Sequence, residues 1–347
     1  MEVYKLDPKQ DARWGELVQS HPKGSVFQTV GWLEALRRTY RYRPVVFTTS
    51  RSDVSLENGV VFCDVRSWLT GKRLVSLPFS DHCDPLFDSQ RDFRFVLNYL
   101  QEDVARQGWK YLELRPLDPV LFQKTGHTSF QPIKSYCFHR VDLRPELREL
   151  FRSLDVDSAQ RRISRAVRAG VIYERGTSEK LLNDFYRLLV LTRQRHGLPP
   201  QPLLWFQNLI RCMNGAIDIW VAYSAHNPIA AILTLRFRTT VYYKYGSSDP
   251  NFKHLAGTPF LLWKTIEESK AAGAEEFDLG RSDTENAGLI SFKNHWTRSR
   301  SELTYLRFPA AQPRPHSHHL KAANWLFACL PKRLRMTTGR LLYRHIG

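Results

Sequence analysis

The stretch from Tyr242 to Trp296 constrains the fold more than any other part of the chain. Its first segment, TTVYYKYGSS, alternates aromatic and polar residues at the period of a strand. Thr258 is placed to cap a helix, with Pro259 at the first helical position. That helix runs through FLLW and stops at Gly273. EEFDLGR follows as a second strand, and a short helical turn then carries Lys293. Strand, capped helix, strand and turn must pack as one unit.

The remaining sequence repeats this kind of order. In the first half, TVGWLEALRRTY predicts a helix with Thr29 as its N-cap. RPVVFTTS and VVFCDV predict strands, and Glu57-Asn58-Gly59 between them predicts a hairpin turn. KRLVSLPFS reads as a strand, DFRFVLNYLQEDVARQG as a helix closed by Gly108, and WKYLELRPL as a strand. In the second half, EKLLNDFYRLLVLTRQRHG reads as a helix, IDIWVAY and IAAILTLRF as strands joined at His226-Asn227-Pro228, and ELTYLRF as a last strand. Both halves give helix, hairpin, strand, helix, strand. The expected fold class is therefore mixed α/β, with two similar domains at 1–150 and 151–309. The charged run VDLRPELRELFRSLDVDS marks the joint, and 310–347 is a basic tail.

Composition narrows the partners. The 347 residues carry 51 Lys and Arg against 34 Asp and Glu, a net charge of +17. An excess of that size implies an anionic partner: nucleic acid, a phosphate-bearing substrate or an acidic lipid surface. The five cysteines are scattered, with no CxxC pair, which argues against a zinc module or a disulfide scaffold. MEVYKLDPKQ lacks the apolar core of a signal peptide, and no apolar run reaches the roughly 20 residues of a membrane span. A cytoplasmic protein is expected.

Several residues invite a chemical reading. Phe292 and Trp296 fall on one helical face, which turns Lys293 toward a cleft or solvent. Asp278 and Asp283 flank Gly280-Arg281 at the end of the EEFDLGR strand, where α/β sheets tend to place functional groups. Either carboxylate can orient an amine or take its proton; a local ion pair with Arg281 is the competing reading. Arg161, Arg162, Arg165 and Arg168 have helical spacing, with Arg161, Arg165 and Arg168 on one face, suited to phosphate oxygens or simply to water. Tyr243 and Tyr245 alternate with Lys244 on a strand, so the tyrosine face is expected to line the slot and the other side to face outward, with core packing of at least one tyrosine as the competing reading. Asp81-His82-Cys83-Asp84 is not read as a nucleophile pair, because adjacency does not supply catalytic geometry; Asp84-Pro85 is read as a turn beside an acceptor. His316, His318 and His319 lie in a Pro-rich loop without further ligands, so no metal is expected.

YKYGSSDPNFKHLAGTPFLLWKTIEESKAAGAEEFDLGR and NAGLISFKNHW resemble the FemAB-like branch of the GNAT superfamily, as does the basic SAQRRISRAVRAGV. FQTVGWLEAL and LPFSDHCDP match more loosely, and the resemblance spans roughly residues 25–308. It implies tandem GNAT-like domains, parted strands with a lysine at the gap, and transfer of an acyl group, often an aminoacyl group from aminoacyl-tRNA, to an amine of a cell-wall precursor. A sister group is tied to exopolysaccharide synthesis, where acyl-CoA is the donor and a sugar or lipid-linked sugar the acceptor. The resemblance implies a catalytic role for Lys293 and contact of Arg161, Arg162 and Arg165 with donor phosphates. From their own positions, Asp278 and Asp283 are expected to share in catalysis, and Tyr243, Tyr245, Asp84 and Arg281 to bind substrate. Gly257 and Thr258 fall where wider GNAT enzymes cradle a cofactor pyrophosphate, although Pro259 stands there without an amide hydrogen.

The tail holds Arg314, Lys321, Lys332, Arg333, Arg335, Arg340 and Arg344, beside Trp325, Leu326, Phe327 and Leu330. That mixture suits an interfacial helix on an anionic membrane or a helix docked on the second domain. No tightly bound cofactor and no DNA partner are expected. A phosphate- or tRNA-binding module that has lost its chemistry is the non-enzymatic alternative.

Overall fold

The computed structural model describes residues 1–117, 129–309 and 343–345. The expected tail helix, its Trp325–Leu330 apolar patch and the His316–His319 run lie outside the described residues. The chain forms two compact units. Met1–Tyr136 with Glu302–His316 and Arg340–Gly347 makes the first, and Cys137–Ser301 with Ser317–Gly339 the second. The chain therefore leaves the first unit at Tyr136/Cys137, inside a strand, rather than at the charged run near 150.

In the first unit, helix α1 (Arg13–Ser20) precedes α2 (Val30–Tyr40), whose cap is Thr29: its side chain accepts the Trp32 N–H. Strands β2 (Arg43–Thr48), β3 (Val60–Ser67) and β4 (Gly71–Val75) pair antiparallel in turn, and β1 (Tyr4–Leu6) edges β2. Helix α3 (Gln90–Gln107) then carries the chain to β5 (Leu112–Leu114), which lies parallel to β4. Glu57-Asn58-Gly59 does not make the tight turn its composition suggests. Residues 49–59 form a longer loop, held by Asn58 Oδ1, which accepts from the Thr49 N–H at 3.1 Å. The core is Phe47, Phe62, Leu74, Phe93, Leu97 and Leu100, where the apolar face of α3 meets the sheet. Cys83 is buried, and burial pushes its thiol up to about 12.

The second unit repeats the pattern. Helices α4 (Leu147–Ser153) and α5 (Arg161–Arg168) lead through β7 (Ile172–Gly176) to α6 (Glu179–Arg195) and α7 (Leu203–Met213). Strands β8 (Ile217–Ser224), β9 (Asn227–Phe237) and β10 (Thr240–Ser248) are antiparallel. Helix α8 (Gly257–Ala271) crosses to β11 (Glu276–Asp283), which runs parallel to β10. Helix α9 (Ala287–Asn294) follows. The β8–β9 turn is centred on Ala225 and His226, both in the left-handed region, one position earlier than the His-Asn-Pro composition suggests. The LLWFQNLIRCM run of α7 was not legible as a separate helix.

The first unit takes its last strand, β12 (Arg300–Phe308), from beyond its continuous run of sequence, and the second is edged by β6 (Gln131–Asp142), the strand with which its run begins. The orders are β1-β2-β3-β4-β5-β12 and β7-β8-β9-β10-β11-β6. Strand β12 pairs antiparallel with β5. Strand β9 is buried along nearly its whole length, as expected when helices cover both faces. On one face α8 contributes Phe260, Leu261 and Ile266 to a core with Trp220, Ile232 and Phe277.

Two consequences are measurable. A Cβ on Gly257 would lie 2.9 Å from Ala230 Cβ and 3.1 Å from Ile229. Gly257→Ala is expected to cost about 1–3 kcal/mol in thermal unfolding, because α8 must lift from β9. His139 is buried on β6, with Nε2 2.9 Å from Asn294 Oδ1. Burial, seconded by Lys293 and Arg300, lowers its pKa. The unfolded chain then binds the extra proton, so stability is full above about pH 6.5 and falls as pH drops below it. His139→Gln is expected to flatten that part of the stability-pH curve, read by denaturant unfolding.

Candidate active site

The site begins where two strands separate. Strands β10 and β11 pair only from Thr240–Tyr242 to Glu276–Asp278. Beyond that level β10 stays with β9 as far as Ser248, but it carries a bulge between Tyr243 and Tyr245. On β11 the break falls at Gly280, whose φ of 71° is a conformation glycine adopts at little cost. The buried Asp278 carboxylate accepts the Gly280 N–H at 2.6 Å and holds the distortion in place.

Lys293 locks the same segment from the other side. Asn286 caps α9 by accepting the Leu289 N–H, and the last turn of this helix delivers Lys293 onto β11. Its Nζ donates to the carbonyls of Gly280 (2.8 Å) and Arg281 (3.0 Å), and the residue is 2% exposed. The ammonium sits at the level where the strands part, bound to backbone. It does not turn toward solvent. The helical-face argument held for Trp296, which is buried, and for Phe292, which packs against the same core.

A cavity of about 550 Å³ lies along the continuing half of β10. Tyr243, Phe252 and Phe292 give it an aromatic wall, and Gly246, Ser247 and Ser248 supply the strand side. The Tyr243 ring folds over Gly246, and a Cβ there would strike its hydroxyl. Burial pushes the Tyr243 phenol up to about 12, so it stays a neutral donor. The N-terminus of α8 opens into the same space through Ala256, Gly257, Thr258 and Pro259. Ala256 occupies the cap position at φ 55°, and no side chain caps this end. The first amides of a helix lack intrahelical partners, so those of Gly257 and Thr258 suit an anion, whereas Pro259 offers none. Arg162, Arg195 and Lys253 line the cavity, without an ion-pair partner among the described residues. His196 joins them; burial, then the charges of Arg195 and Arg193, lower its pKa. Asp249 is the one acid in the lining, and its carboxylate accepts the Asn251 N–H.

The structure gathers some of the expected residues and separates others. Arg162, Tyr243, Gly257 and Thr258 line the cavity. Thr258 does so from inside the first turn of α8, not as its cap. Asp278, Arg281 and Lys293 form the network behind the parted strands. Asp283 ends β11 and builds a turn, its carboxylate accepting the Glu285 N–H and its carbonyl the Asn286 N–H. Tyr245 leaves the slot: the bulge breaks the strand period and sends it to Phe185 and Phe206, where its hydroxyl accepts from Trp205 Nε1 at 2.9 Å. Arg161 pairs with Asp157, and Arg165 is exposed; neither lines the cavity, so the useful face of α5 is that of Arg162. Asp84, in the first unit, is buried and accepts the Leu117 N–H at 2.8 Å, while its carbonyl accepts from Gln28. It shapes a loop. Arg195, His196 and Lys253 were missed. The first two sit in RQRHG, which signals a helix end and nothing more.

Residues 153–293 match the acetyltransferase (GNAT) domain, a span that ends on Lys293 and contains every residue lining the cavity. The chain is 22% identical over 314 residues to a UDP-N-acetylmuramoylpentapeptide-lysine N(6)-alanyltransferase of Weissella viridescens, covering 83% of this chain and 89% of that one. Among solved structures, FemX superposes with a TM-score of 0.69 at 13% identity, over 89% of this chain and 97% of FemX. A tandem GNAT protein from the clavulanic acid biosynthesis pathway superposes at 0.51 and 10% identity, over 90% of this chain and all of that one. The second unit thus matches a GNAT domain, and the chain as a whole resembles an alanyltransferase in sequence and FemX in fold.

Proposed function

We propose that the protein moves an aminoacyl group from a phosphate-bearing donor, seated in the second-unit cavity, to an amine of a cell-envelope precursor. One observation carries this reading: an uncapped helix N-terminus and three cations without an ion-pair partner among the described residues share a cavity with an aromatic wall, beside parted strands that hold a buried ammonium. The cations and the Gly257 and Thr258 amides receive phosphate oxygens. Tyr243, Phe252 and Phe292 offer stacking faces to the base of a nucleotide. Aminoacyl-tRNA meets both requirements, and it is the donor the FemAB resemblance implies. The alanyltransferase relative supports an acceptor like its own, a lysine amine on a muramoyl-pentapeptide nucleotide. The reaction would then take place at the cytoplasmic face of the envelope.

Acyl transfer to an amine needs no covalent nucleophile from the protein. The neutral amine attacks the donor carbonyl, negative charge collects on that oxygen, and the donor's ester oxygen departs with the proton the amine gives up. Lys293 supplies positive charge at the gap where that oxygen develops. Asp278 acts through Gly280, keeping the strands apart. Asp283, at the outer end of β11, takes the amine's proton and passes it to the departing ester oxygen. Arg281 presents its carbonyl to Lys293 and so positions it. Acyl-CoA is the second donor reading, because the GNAT match covers the whole cavity and a pyrophosphate suits the same helix end. The acceptor would then be a sugar or lipid-linked sugar of an exopolysaccharide.

The donors separate by thermal shift. Stabilisation by aminoacyl-tRNA without a response to acetyl-CoA is the expected outcome; the reverse overturns the tRNA reading. Arg162→Glu and Arg195→Glu are expected to raise the KM for the donor about tenfold or more while kcat changes little, the signature of lost ground-state binding. Lys293→Met keeps the buried stem but strands two carbonyls, so the melting temperature falls by the equivalent of about 1–3 kcal/mol. In the variant fraction that remains folded, kcat is expected to drop about 100-fold or more with donor binding intact. Unchanged turnover would reduce the protein to a binding module.

A further inference from the structure

The hairpin of β3 and β4 ends in an unusual tip. Ser67 pairs with Gly71 and Arg66 with Lys72, leaving Trp68, Leu69 and Thr70 as the turn. Trp68 is 86% exposed and Leu69 56%. Large apolar side chains on adjacent residues normally find cover, and this pair has none among the described residues of its unit.

The tip is also held rigidly. Ser67 Oγ accepts the N–H groups of Leu69 (3.1 Å) and Thr70 (2.9 Å) and lies 2.8 Å from His345 Nδ1. Thr70 Oγ1 and the buried Arg73 both donate to the His345 carbonyl, and the Tyr343 carbonyl accepts from Tyr42. The Trp68 ring meets His345 edge-on, with centroids 5.4 Å apart. The end of the chain thus braces the turn from behind and leaves the indole pointing out.

Cations surround it. Arg66, Lys110 and Arg344 are exposed and Lys72 is half-buried. The Lys110 side chain lies across Gly71, and its N–H donates to the Lys72 carbonyl. The one acid in the hairpin, Asp64, already pairs with Arg66 at 2.9 Å. An indole and a leucine on a stiff turn, ringed by positive charge, match the boundary of an anionic bilayer. There the indole settles at headgroup depth, and the cations are attracted to the anionic headgroups.

We infer that the Trp68-Leu69 tip is an interfacial anchor that seats the protein on anionic lipid. The occupant is a lipid surface rather than a second protein because the flanking charge is of one sign and the apolar area is a narrow tip, where a protein interface needs a broad patch. This anchor is separate from the cavity and does not depend on which donor binds there. It needs no membrane-crossing helix; no helix among the described residues is long and apolar enough to be one.

The test is sedimentation of the full chain with vesicles of phosphatidylcholine alone or mixed equally with phosphatidylglycerol. The wild-type chain is expected to bind the mixed vesicles and not the neutral ones. Trp68→Ala/Leu69→Ala is expected to lower that affinity about tenfold or more, with melting temperature and donor binding unchanged. Lys72→Ala/Lys110→Ala should weaken binding and reduce its salt dependence. Tryptophan emission of the wild type should shift to the blue on vesicles, and Trp68→Phe should lose the shift yet keep most of the binding. Equal binding by the double apolar variant, or equal binding to neutral vesicles, overturns the proposal. So does a concentration-dependent dimer, broken by the same variant in a protein that ignores vesicles, since that assigns the tip to a second copy.

Discussion

The separation of β10 from β11 is the constraint on which the second unit's function rests. Two parallel strands would ordinarily continue their ladder, since each unpaired backbone group that stays buried is costly. Here three residues remove that drive. Gly280 takes a conformation incompatible with the ladder, Asp278 satisfies its N–H, and Lys293 satisfies its carbonyl and the next. The backbone groups that the gap would orphan are met by side chains from the same unit. An opening that would otherwise be a defect becomes a stable feature.

This arrangement gives Lys293 two jobs that are hard to tell apart. A buried ammonium is expensive unless it is hydrogen-bonded, and the two carbonyls reduce that cost. The same bonds fix its charge at the opening, with no side-chain rearrangement needed as a reaction proceeds. Preorganised charge of this kind acts more strongly than charge recruited from solvent. In the proposed reaction the structural role is therefore the means of the catalytic one.

The βαβ core of the second unit was legible because its signals are local. Aromatic alternation, a Thr-Pro helix start and a terminal glycine each act within a few residues. What escaped the sequence was set by longer-range or single-residue effects. One inserted residue at the β10 bulge sends Tyr245 away from Tyr243, although simple alternation puts them on one face. Arg162 rather than Arg161 reaches the cavity because Ile163 and Ala166 decide which side of α5 is buried. Arg195 and His196 meet Lys253 across sixty residues of sequence, and nothing in either segment announces the other. The unit boundary falls earlier than the charged run because β6, which precedes that run, already pairs beside β11 in the second unit, a fact of pairing and not of composition.

The surplus of positive charge is divided according to what each region must do. Many arginines are spent on local pairs: Arg144 with Asp142, Arg161 with Asp157, and Arg175 with both Asp218 and Glu268. Such exposed pairs add little stability and cancel in the far field. The cations lining the cavity are different, because no carboxylate among the described residues answers Arg162, Arg195 or Lys253. Charges that share one cavity sum into a local potential, which in the proposed reaction draws an anionic donor toward the opening before contact. In the proposed reaction, once the phosphates are seated the aromatic wall takes the flat part of the donor and the acyl end is directed toward the gap between the strands. Phosphate recognition and acyl positioning are thus successive parts of one path, and the direction of that path follows from where the carboxylates are missing.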